Sequence, residues 1–201
     1  MVSLHGILVS SLLLVLESAE GNLGQTSRTG KGGSPEHTDS THAEQFGGVQ
    51  WMNCGGKDDP VLVEYLSIQP DPVTLPGVFQ LSFQFSVSRT LHSPIKFQAQ
   101  GEKQIAIWVP VLCLDELGSC ELEDMCALLP FVCPSAIRQH GIPCQCPIRK
   151  GRYILPPTNL TVTPGELPVW VTEALYKMTY RLSSLSQTVG CLHVEFSILD
   201  P

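Results

Sequence analysis

Two cysteines one residue apart stand between prolines in the segment GIPCQCPIRKG. They are Cys144 and Cys146, and three basic residues follow them, Arg149, Lys150 and Arg152. A pair of this kind could ligate a metal ion, exchange a thiol with a disulfide, or cross-link a loop. The compartment in which the chain folds decides among these roles, because thiols pair in an oxidising environment and stay reduced in the cytosol.

The N-terminus indicates a secretory route. Residues 7–16 (ILVSSLLLVL) form an apolar run of ten, which is too short to cross a bilayer of about 30 Å as a helix. Small residues follow at Ala19 and Gly21, as in a cleaved secretory signal. We therefore predict a signal peptide over residues 1–21 and a secreted or lysosomal protein.

The eight cysteines are an even number, and all lie outside the predicted signal. Their spacing lacks the paired C-x2-C knuckles that a tetrahedral thiolate site usually uses. The prolines beside Cys144 and Cys146, without a nearby thioredoxin-like pattern, argue against a redox pair. The sequence therefore predicts disulfides, no metal and no cofactor, and gives the opening pair a structural role.

The charge balance argues against nucleic acid as a partner. The chain has 12 basic and 19 acidic residues, a net of −7, and Glu17 and Glu20 fall in the predicted signal. Near about pH 4.5, the five histidines outside the signal would be charged, giving 17 positive groups against 17 partly protonated acids. We expect the surface to become neutral or positive in an acidic compartment.

Composition divides the rest of the chain into two parts. Residues 22–50 are rich in Gly, Ser and Thr, with almost no large apolar side chains, which predicts a disordered arm. Residues 51–201 have the usual length of one domain.

The dominant period in that domain is two. In FQLSFQFSV, the apolar residues Phe79, Leu81, Phe83, Phe85 and Val87 share one face of a strand. Similar alternation predicts strands over residues 61–68, 95–99, 105–111, 176–182 and 192–198, with shorter strands at 153–155 and 160–162. Prolines confine the strands to the gaps between them. The fold class is all-β, an antiparallel sandwich or an open cup.

One short helix interrupts the strands. Ser119 can cap a helix from about Cys120 to Leu129, ended by Pro130. Acidic residues in its first turn, Glu121 and Glu123, would oppose the helix dipole.

Catalytic motifs are absent from the sequence: there is no G-x-S-x-G, H-E-x-x-H, P-loop or dinucleotide fingerprint. His92, His140 and His193 are single histidines, which are more often surface residues than catalytic ones. We assign no catalytic residue. A small secreted hydrolase would require a carboxylate and a histidine that converge in a cleft.

Two tryptophans have an alternative to core packing. Trp108 lies on the opposite strand face from Ile105 and Ile107, and Trp170 follows Pro168 in a loop-like setting. An exposed Trp beside aliphatic residues suits a membrane surface, because the ring is apolar and its N–H stays wet. The alternative is that each ring is buried. The apolar run ALLPFV, residues 127–132, is likewise either helix core or an exposed lip.

Seven short motifs together resemble the GM2 ganglioside activator family, which has the lipid-recognition ML-type fold. In order, they are WMNC at 51–54, QPDP at 69–72, HSPIK at 92–96, GSC at 118–120, GIPCQCP at 141–147, ELPVW at 166–170 and GC at 190–191. The resemblance covers nearly all of residues 51–199. It implies a β-cup with an apolar cavity and four disulfides: Cys54–Cys191, Cys113–Cys120, Cys126–Cys146 and Cys133–Cys144.

The resemblance also implies a function. A protein of this family is a non-enzymatic activator that lifts a glycosphingolipid, or another amphipathic lipid, from a membrane surface and presents it to a soluble hydrolase of the β-hexosaminidase A type. The lipid contacts would be Phe79, Leu81, Phe83, Phe85, Val87, Ile105 and Ile107 in the interior, Trp108 and Trp170 near the rim, and Leu128, Phe131 and Tyr176. The alternative is a secreted recognition module with a filled core, acting through its outer surface on a receptor or a microbial lipid.

The chain departs from the mammalian members of that family in three places. The stretch from Cys126 to Cys133 is shorter, the arm over residues 22–50 is extra, and Asn159-Leu160-Thr161 offers a new glycosylation sequon at Asn159. These differences indicate a relative with its own lipid specificity.

Overall fold

The computed structural model describes residues 48–114, 118–164, 167 and 171–200. The predicted signal over residues 1–21 and all but the last three residues of the predicted arm lie outside this range. Its first strand begins at Gln50.

Strands dominate the described residues. They are β1 (Gln50–Asn53), β2 (Val61–Gln69), β3 (Val73–Thr74), β4 (Gly77–Val87), β5 (Lys96–Gln104), β6 (Trp108–Val111), β7 (Glu121–Leu122), β8 (Gly151–Val162), β9 (Ala174–Ser184) and β10 (Gln187–Leu199). The helical segments are short: a 3-10 turn at Met125–Ala127, α1 at Leu129–Val132 and α2 at Ser135–Arg138. The predicted all-β class is confirmed.

The strands form two sheets. The larger has the order β1-β10-β9-β5-β6, with β3 paired to β10 and β7 paired to β5. The smaller has the order β2-β4-β8. Neighbouring strands are antiparallel except for the short β3–β10 pair.

The prediction that prolines divide the strands fails at one place. The two short strands predicted around residues 153–155 and 160–162 are parts of the single strand β8, which continues through Pro156 and Pro157. The pairing with β4 shifts register there, between Leu81 and Phe83. Because β8 is the last strand of its sheet, one side of it has no hydrogen-bond ladder that prolines could interrupt. On the side that pairs with β4, the register shift accommodates the missing N–H donors.

The helix predicted from Cys120 to Leu129 is wrong in its bounds. Glu121–Leu122 pairs with β5 as strand β7, and the hydroxyl of Ser119 accepts a hydrogen bond from Gly101 N at 2.9 Å instead of capping a helix. Lys96 forms ion pairs with both Glu121 and Glu123. Partners distant in sequence thus outweigh the local preference for a helix N-terminus.

The apolar core lies between the sheets. One cluster joins inner-face residues of the smaller sheet, including Leu66, Leu81 and Leu155, to Val194 of the larger sheet. A second cluster at one end contains Val87, Ile95 and Val189. The five alternating residues of β4 all belong to these clusters or pack against them, as the period of two predicts.

Along one long edge, the sheets are joined directly. Strands β1 and β10 lie against β2, the outer strand of the smaller sheet. There the Asn53 side chain accepts a hydrogen bond from Val63 N at 2.9 Å and donates one to Val63 O at 2.8 Å. An edge strand leaves such backbone groups without ladder partners, and the amide of Asn53 satisfies both.

The four disulfides of the structure have the pairing that the family resemblance implies: Cys54–Cys191, Cys113–Cys120, Cys126–Cys146 and Cys133–Cys144. Cys54–Cys191 joins the end of β1 to β10 beside the Asn53 contact, and it encloses most of the domain, with a sequence separation of 137. This cross-link restricts the unfolded chain more than the Cys113–Cys120 link, whose separation is 7, because the entropy removed grows with loop length.

Replacing Asn53 with Ala should therefore weaken the joined edge. The variant leaves a partly buried N–H and C=O of Val63 without partners, so we expect a loss of about 2–3 kcal/mol in the free energy of unfolding, measured by urea denaturation of the oxidised protein. Gln80→Ala is the control, since Gln80 makes an exposed side-chain contact with Asn159 at 3.3 Å, and it should change stability by less than about 0.5 kcal/mol. Equal effects of the two variants would contradict this role for Asn53.

Candidate functional site

The opposite long edge of the sandwich is covered by residues 125–148, which we call the cover. The outer strands at this edge are β6 and β7 of the larger sheet and β8 of the smaller sheet. Ile137 and Ile142 of the cover pack on the main core cluster, while Met125 and Leu129 pack on the end cluster. The cover thus closes the space between the two sheets by side-chain packing. At the other edge, where β1 and β10 lie against β2, the side-chain hydrogen bonds of Asn53 join the sheets.

Two disulfides and one carboxylate hold the cover in place. Cys126–Cys146 and Cys133–Cys144 link its two halves. At its start, Asp124 caps the 3-10 turn by accepting a hydrogen bond from Cys126 N at 3.0 Å. The same carboxylate accepts hydrogen bonds from Ile95 N at 3.0 Å and from the Ser93 hydroxyl, so it ties the cover to the residues that lead into β5 of the larger sheet.

Asp124 keeps its charge in mild acid. Its partial burial works against ionisation and would raise the pKa. The hydrogen bonds from Ser93, Ile95 and Cys126 together outweigh burial and hold the pKa of Asp124 below its ordinary value. The attachment of the cover therefore persists at moderately acidic pH.

A cleft of about 530 Å³ lies between the cover and the start of β8. The lining residues are Pro130, Arg138, Gly141, Ile142, Pro143, Cys144, Gln145, Pro147, Arg149 and Tyr153. Tyr153 donates its hydroxyl hydrogen bond to Arg149 O at 2.7 Å. The Cys144-Gln145-Cys146 segment, which the sequence singled out, therefore contributes to the cleft wall and is cross-linked on both sides.

A row of aromatic rings leads from this cleft towards the space between the sheets. The ring of Tyr153 stacks on Phe85, with centroids 5.1 Å apart, and Phe85 contacts Phe83 at 5.9 Å. Phe83 packs against the main core cluster, as does Ile142 of the cleft. We call Tyr153, Phe85 and Phe83 the aromatic row; with Ile142, it makes apolar surface continuous from the cleft to the interior.

Several of these inner-face rings remain partly accessible. Leu81 and Leu155 have 0% and 1% exposure, whereas the neighbouring Phe83, Phe85 and Tyr153 are only half-buried. Close packing would bury large side chains in the middle of a filled sandwich. Apolar surface thus stays open between the sheets or at their covered edge.

The other predicted contacts on inner faces are tightly packed. Phe79, Leu81 and Val87 are buried. Tyr176 is 1% exposed and stacks on Phe196 with ring centroids 5.6 Å apart. Its hydroxyl donates to Thr172 O at 2.7 Å and accepts from Thr172 N at 3.0 Å, and burial raises the pKa of Tyr176. These side chains belong to the filled part of the core.

Ile105 and Ile107 do not line the interior, in contrast to the prediction. Gln104 pairs with Trp108 across the β5–β6 hairpin, so the three residues between them form its turn. Both isoleucines are exposed there, by 66% and 70%. The alternation over residues 105–111 predicts one strand, because a turn built of apolar residues carries no polar signal that would mark it.

Trp108 lies on the outer face of the larger sheet. The Lys177 ammonium sits 4.0 Å from its ring centroid, and Lys177 also pairs with Glu195 at 3.6 Å. This cation–π contact holds the ring against the sheet. Trp170 lies outside the described residues.

Exposed apolar side chains concentrate in the β5–β6 hairpin turn and just after β6. Four of the ten large exposed hydrophobic residues of the described chain fall within residues 105–114, namely Ile105, Ile107, Leu112 and Leu114. In the cover, Leu128 is partly buried, and Phe131 is 73% exposed. Of the apolar run over residues 127–132, Phe131 is thus exposed, as a lip would be, whereas Leu128 is partly buried.

The described residues contain no cluster suited to a metal ion. No group of three or more His, Cys, Asp or Glu side chains could hold a metal among them. His193 contacts Thr179 at 3.0 Å and Glu195 at 3.2 Å on the outer face of the larger sheet, away from the cleft. In the part of the chain that the structure describes, no helix has the length and apolar character needed to cross a membrane.

The pKa of Asp124 gives a test of how the cover is attached. A group whose folded-state pKa is lowered stabilises the fold above its unfolded pKa, and this stabilisation is lost as pH falls through the folded pKa. We expect Asp124→Asn to be less stable than the wild type at pH 6, with the difference shrinking below about pH 3.8, the ordinary pKa of an aspartate. Urea denaturation between pH 6 and pH 2.5 measures this. A difference that stays constant over the range would contradict a role for the charge.

Sequence comparisons with known proteins show the family of this chain. A family model described as the ML domain matches residues 48–198. The chain is 35% identical over 164 residues to the ganglioside GM2 activator of Macaca fascicularis, covering 78% of this chain and 86% of that protein. It is 37% identical over 161 residues to the ganglioside GM2 activator of Mus musculus, covering 77% and 83%.

Among solved structures, a Niemann-Pick type C2 protein from the Japanese carpenter ant aligns with a TM-score of 0.41 and 12% identity, covering 74% of this chain and 98% of that one. The family assignment rests on the sequence matches alone. The chain belongs to the ML-domain family and is a relative of the ganglioside GM2 activators.

Proposed function

We propose that this protein is a non-enzymatic lipid carrier that takes the hydrocarbon part of an amphipathic lipid between its two sheets. The supporting observation is the partly accessible aromatic row, which joins the cleft to the apolar interior. Its relatives are named for a ganglioside, and we extend that lipid class, the glycosphingolipids, to this chain.

Such a carrier is needed because water is a poor solvent for the hydrocarbon chains of a lipid. Each CH₂ group moved from water into an apolar site gains about 0.8 kcal/mol, so a two-chain lipid cannot leave a membrane into bare water. A soluble glycosidase, in turn, cannot reach a sugar that lies flush with the bilayer. A protein that shields the chains and leaves the sugar outside solves both problems, and we propose presentation to such a hydrolase, of the β-hexosaminidase A type, as the role of this chain.

The cellular setting belongs to the same proposal. A signal over residues 1–21 would direct the chain to the secretory route, where the four disulfides form. Secretion or delivery to the lysosome follows. Asn159 and Thr161 of the predicted sequon are both exposed on β8, so a glycan at Asn159 would project from the outer face of the smaller sheet without disturbing the interior.

Contact with the membrane would use the exposed apolar residues 105, 107, 112 and 114. They lie at the hairpin turn and just beyond β6, which is the last strand of the larger sheet. Acidic pH would favour the approach to an anionic surface, because carboxylates become protonated and histidines charged.

Lipid uptake can be tested by narrowing the interior. We expect native mass spectrometry of the purified protein to show bound lipid, and Phe83→Trp to reduce it at least about fivefold, because overpacking costs about 1–3 kcal/mol. Val78→Trp is the matched control, since Val78 lies on the same strand but is 58% exposed on the outer face.

Absence of lipid from the wild type, with labelled lipid also refused at pH 4.5 and pH 7, would remove the carrier proposal. The remaining reading would then be a recognition module that acts through its outer surface.

The membrane contact can be tested at the hairpin turn. Replacing both Ile105 and Ile107 with Ser should weaken binding to liposomes by at least about 30-fold, because two isoleucines that enter the bilayer interface contribute about 2 kcal/mol or more. Leu185→Ser is the control: Leu185 is 87% exposed in the β9–β10 turn, at the opposite end of β9 from the residue that pairs with Gln104.

Liposome sedimentation at pH 4.5 and pH 7 measures both variants, and we expect transfer of labelled glycolipid to be faster at the lower pH. If the Leu185 variant loses as much binding as the double variant, the contact does not lie at residues 105–107.

A further inference from the structure

The positive charges of this acidic protein are concentrated around the cleft. Residues 125–164 contain none of the 19 Asp and Glu residues, but they contain four of the 12 basic residues, Arg138, Arg149, Lys150 and Arg152. This segment comprises the cover and β8, which form the walls of the cleft. In a chain with a net charge of −7, the cleft is therefore surrounded by locally positive sequence.

Two of these residues, Arg138 and Arg149, line the cleft itself. Arg138 comes from α2, and its Nη2 donates to Cys133 O at 3.2 Å, which fixes the guanidinium beside the Cys133–Cys144 disulfide. Arg149 is held through its backbone, whose carbonyl accepts the Tyr153 hydroxyl. The cross-linked cover thus positions the Arg138 guanidinium, and the first ring of the aromatic row holds the Arg149 backbone.

Neither arginine has a carboxylate partner in the described part of the chain. Arg152 pairs with Glu64 at 2.7 Å and Lys177 with Glu195 at 3.6 Å, but the ion pairs found there include neither Arg138 nor Arg149. A guanidinium offers a planar set of N–H donors that fits a carboxylate, sulfate or phosphate group in a bidentate manner. The cleft therefore has two cations with unused donors, and a hydrogen bond holds one of them, Arg138, in place.

We propose that Arg138 and Arg149 bind the anionic headgroup of the carried lipid, so that the protein selects acidic over neutral lipids of the same chain length. The inference rests on the carrier function proposed above. A lipid placed in this way has its charged group between the two arginines and its chains along Tyr153, Phe85 and Phe83. The aromatic row next to the cations favours a lipid over a small soluble anion, because a small anion has no hydrocarbon part that could contact the rings.

The test compares two lipids that share one ceramide, galactosylceramide and its sulfate ester. Each is offered as a dilute component of phosphatidylcholine vesicles, and transfer to the full-length oxidised protein is measured. We expect the wild type to prefer the sulfate ester by about tenfold or more, as for charge-assisted hydrogen bonds. The double variant R138Q/R149Q should retain the uptake of galactosylceramide and lose the preference to within about twofold.

The matched control is K150Q/R152Q, which removes the same charge from the same segment but from residues that do not line the cleft. It should keep the wild-type preference. If it loses the preference as well, general attraction to the basic segment, rather than the cleft, selects the lipid, and the proposal falls. Equal uptake of both lipids by the wild type would also overturn it.

A competition arm separates the headgroup from a free anion. Galactose sulfate or inorganic sulfate, added at the concentration of the lipid, should leave transfer unchanged; if either abolishes the preference, the cleft is a site for soluble anions. If the wild type takes up neither lipid, the carrier function itself fails, which differs from equal uptake of both.

Discussion

Backbone hydrogen bonds cannot run between the two sheets of a sandwich, so the sheets are joined by whatever side chains and cross-links meet at their edges. Here one edge has a direct connection: the amide of Asn53 satisfies both backbone groups of Val63, and Cys54–Cys191 lies next to it. The other edge has the cover, which packs on the core through Ile137 and Ile142 and forms little regular structure of its own. One side is therefore fixed, and access to the interior is left to the other.

The cover solves a stability problem in a particular way. Its helices are four residues long, too short to be stable from their own hydrogen bonds. Two disulfides and the Asp124 carboxylate replace that missing stability. Because both cross-links lie within the cover, no disulfide ties it to either sheet, and only the chain itself connects it to β7 and β8. A lipid carrier needs such an arrangement, in which the cover keeps its shape beside an apolar space that remains accessible.

Much of the fold could be predicted from the sequence, because alternation of apolar and polar residues records which strand face is buried. Strands β2, β4, β9 and β10 follow this pattern, and the family resemblance supplied the four cysteine pairs. The prediction failed where local sequence signals compete with distant partners. Glu121 and Glu123 suit a helix N-terminus, but Lys96 binds both; Ile105 and Ile107 alternate like strand residues, but they form a hairpin turn.

The sequence by itself determined the class of the protein: an all-β domain with paired cysteines, no catalytic motif and motifs of a lipid-recognition family. It also contains the acid-free stretch over residues 125–164. Only the tertiary structure decided which apolar residues fill the core, which are accessible rings and which lie on the surface. Alternation with a period of two shows which face of a strand is apolar, but it does not show how deeply each residue is buried. The tertiary structure also decided that Arg138 and Arg149, eleven positions apart in the chain, line one cleft with Tyr153, since that meeting depends on how the disulfides fold the cover back on β8.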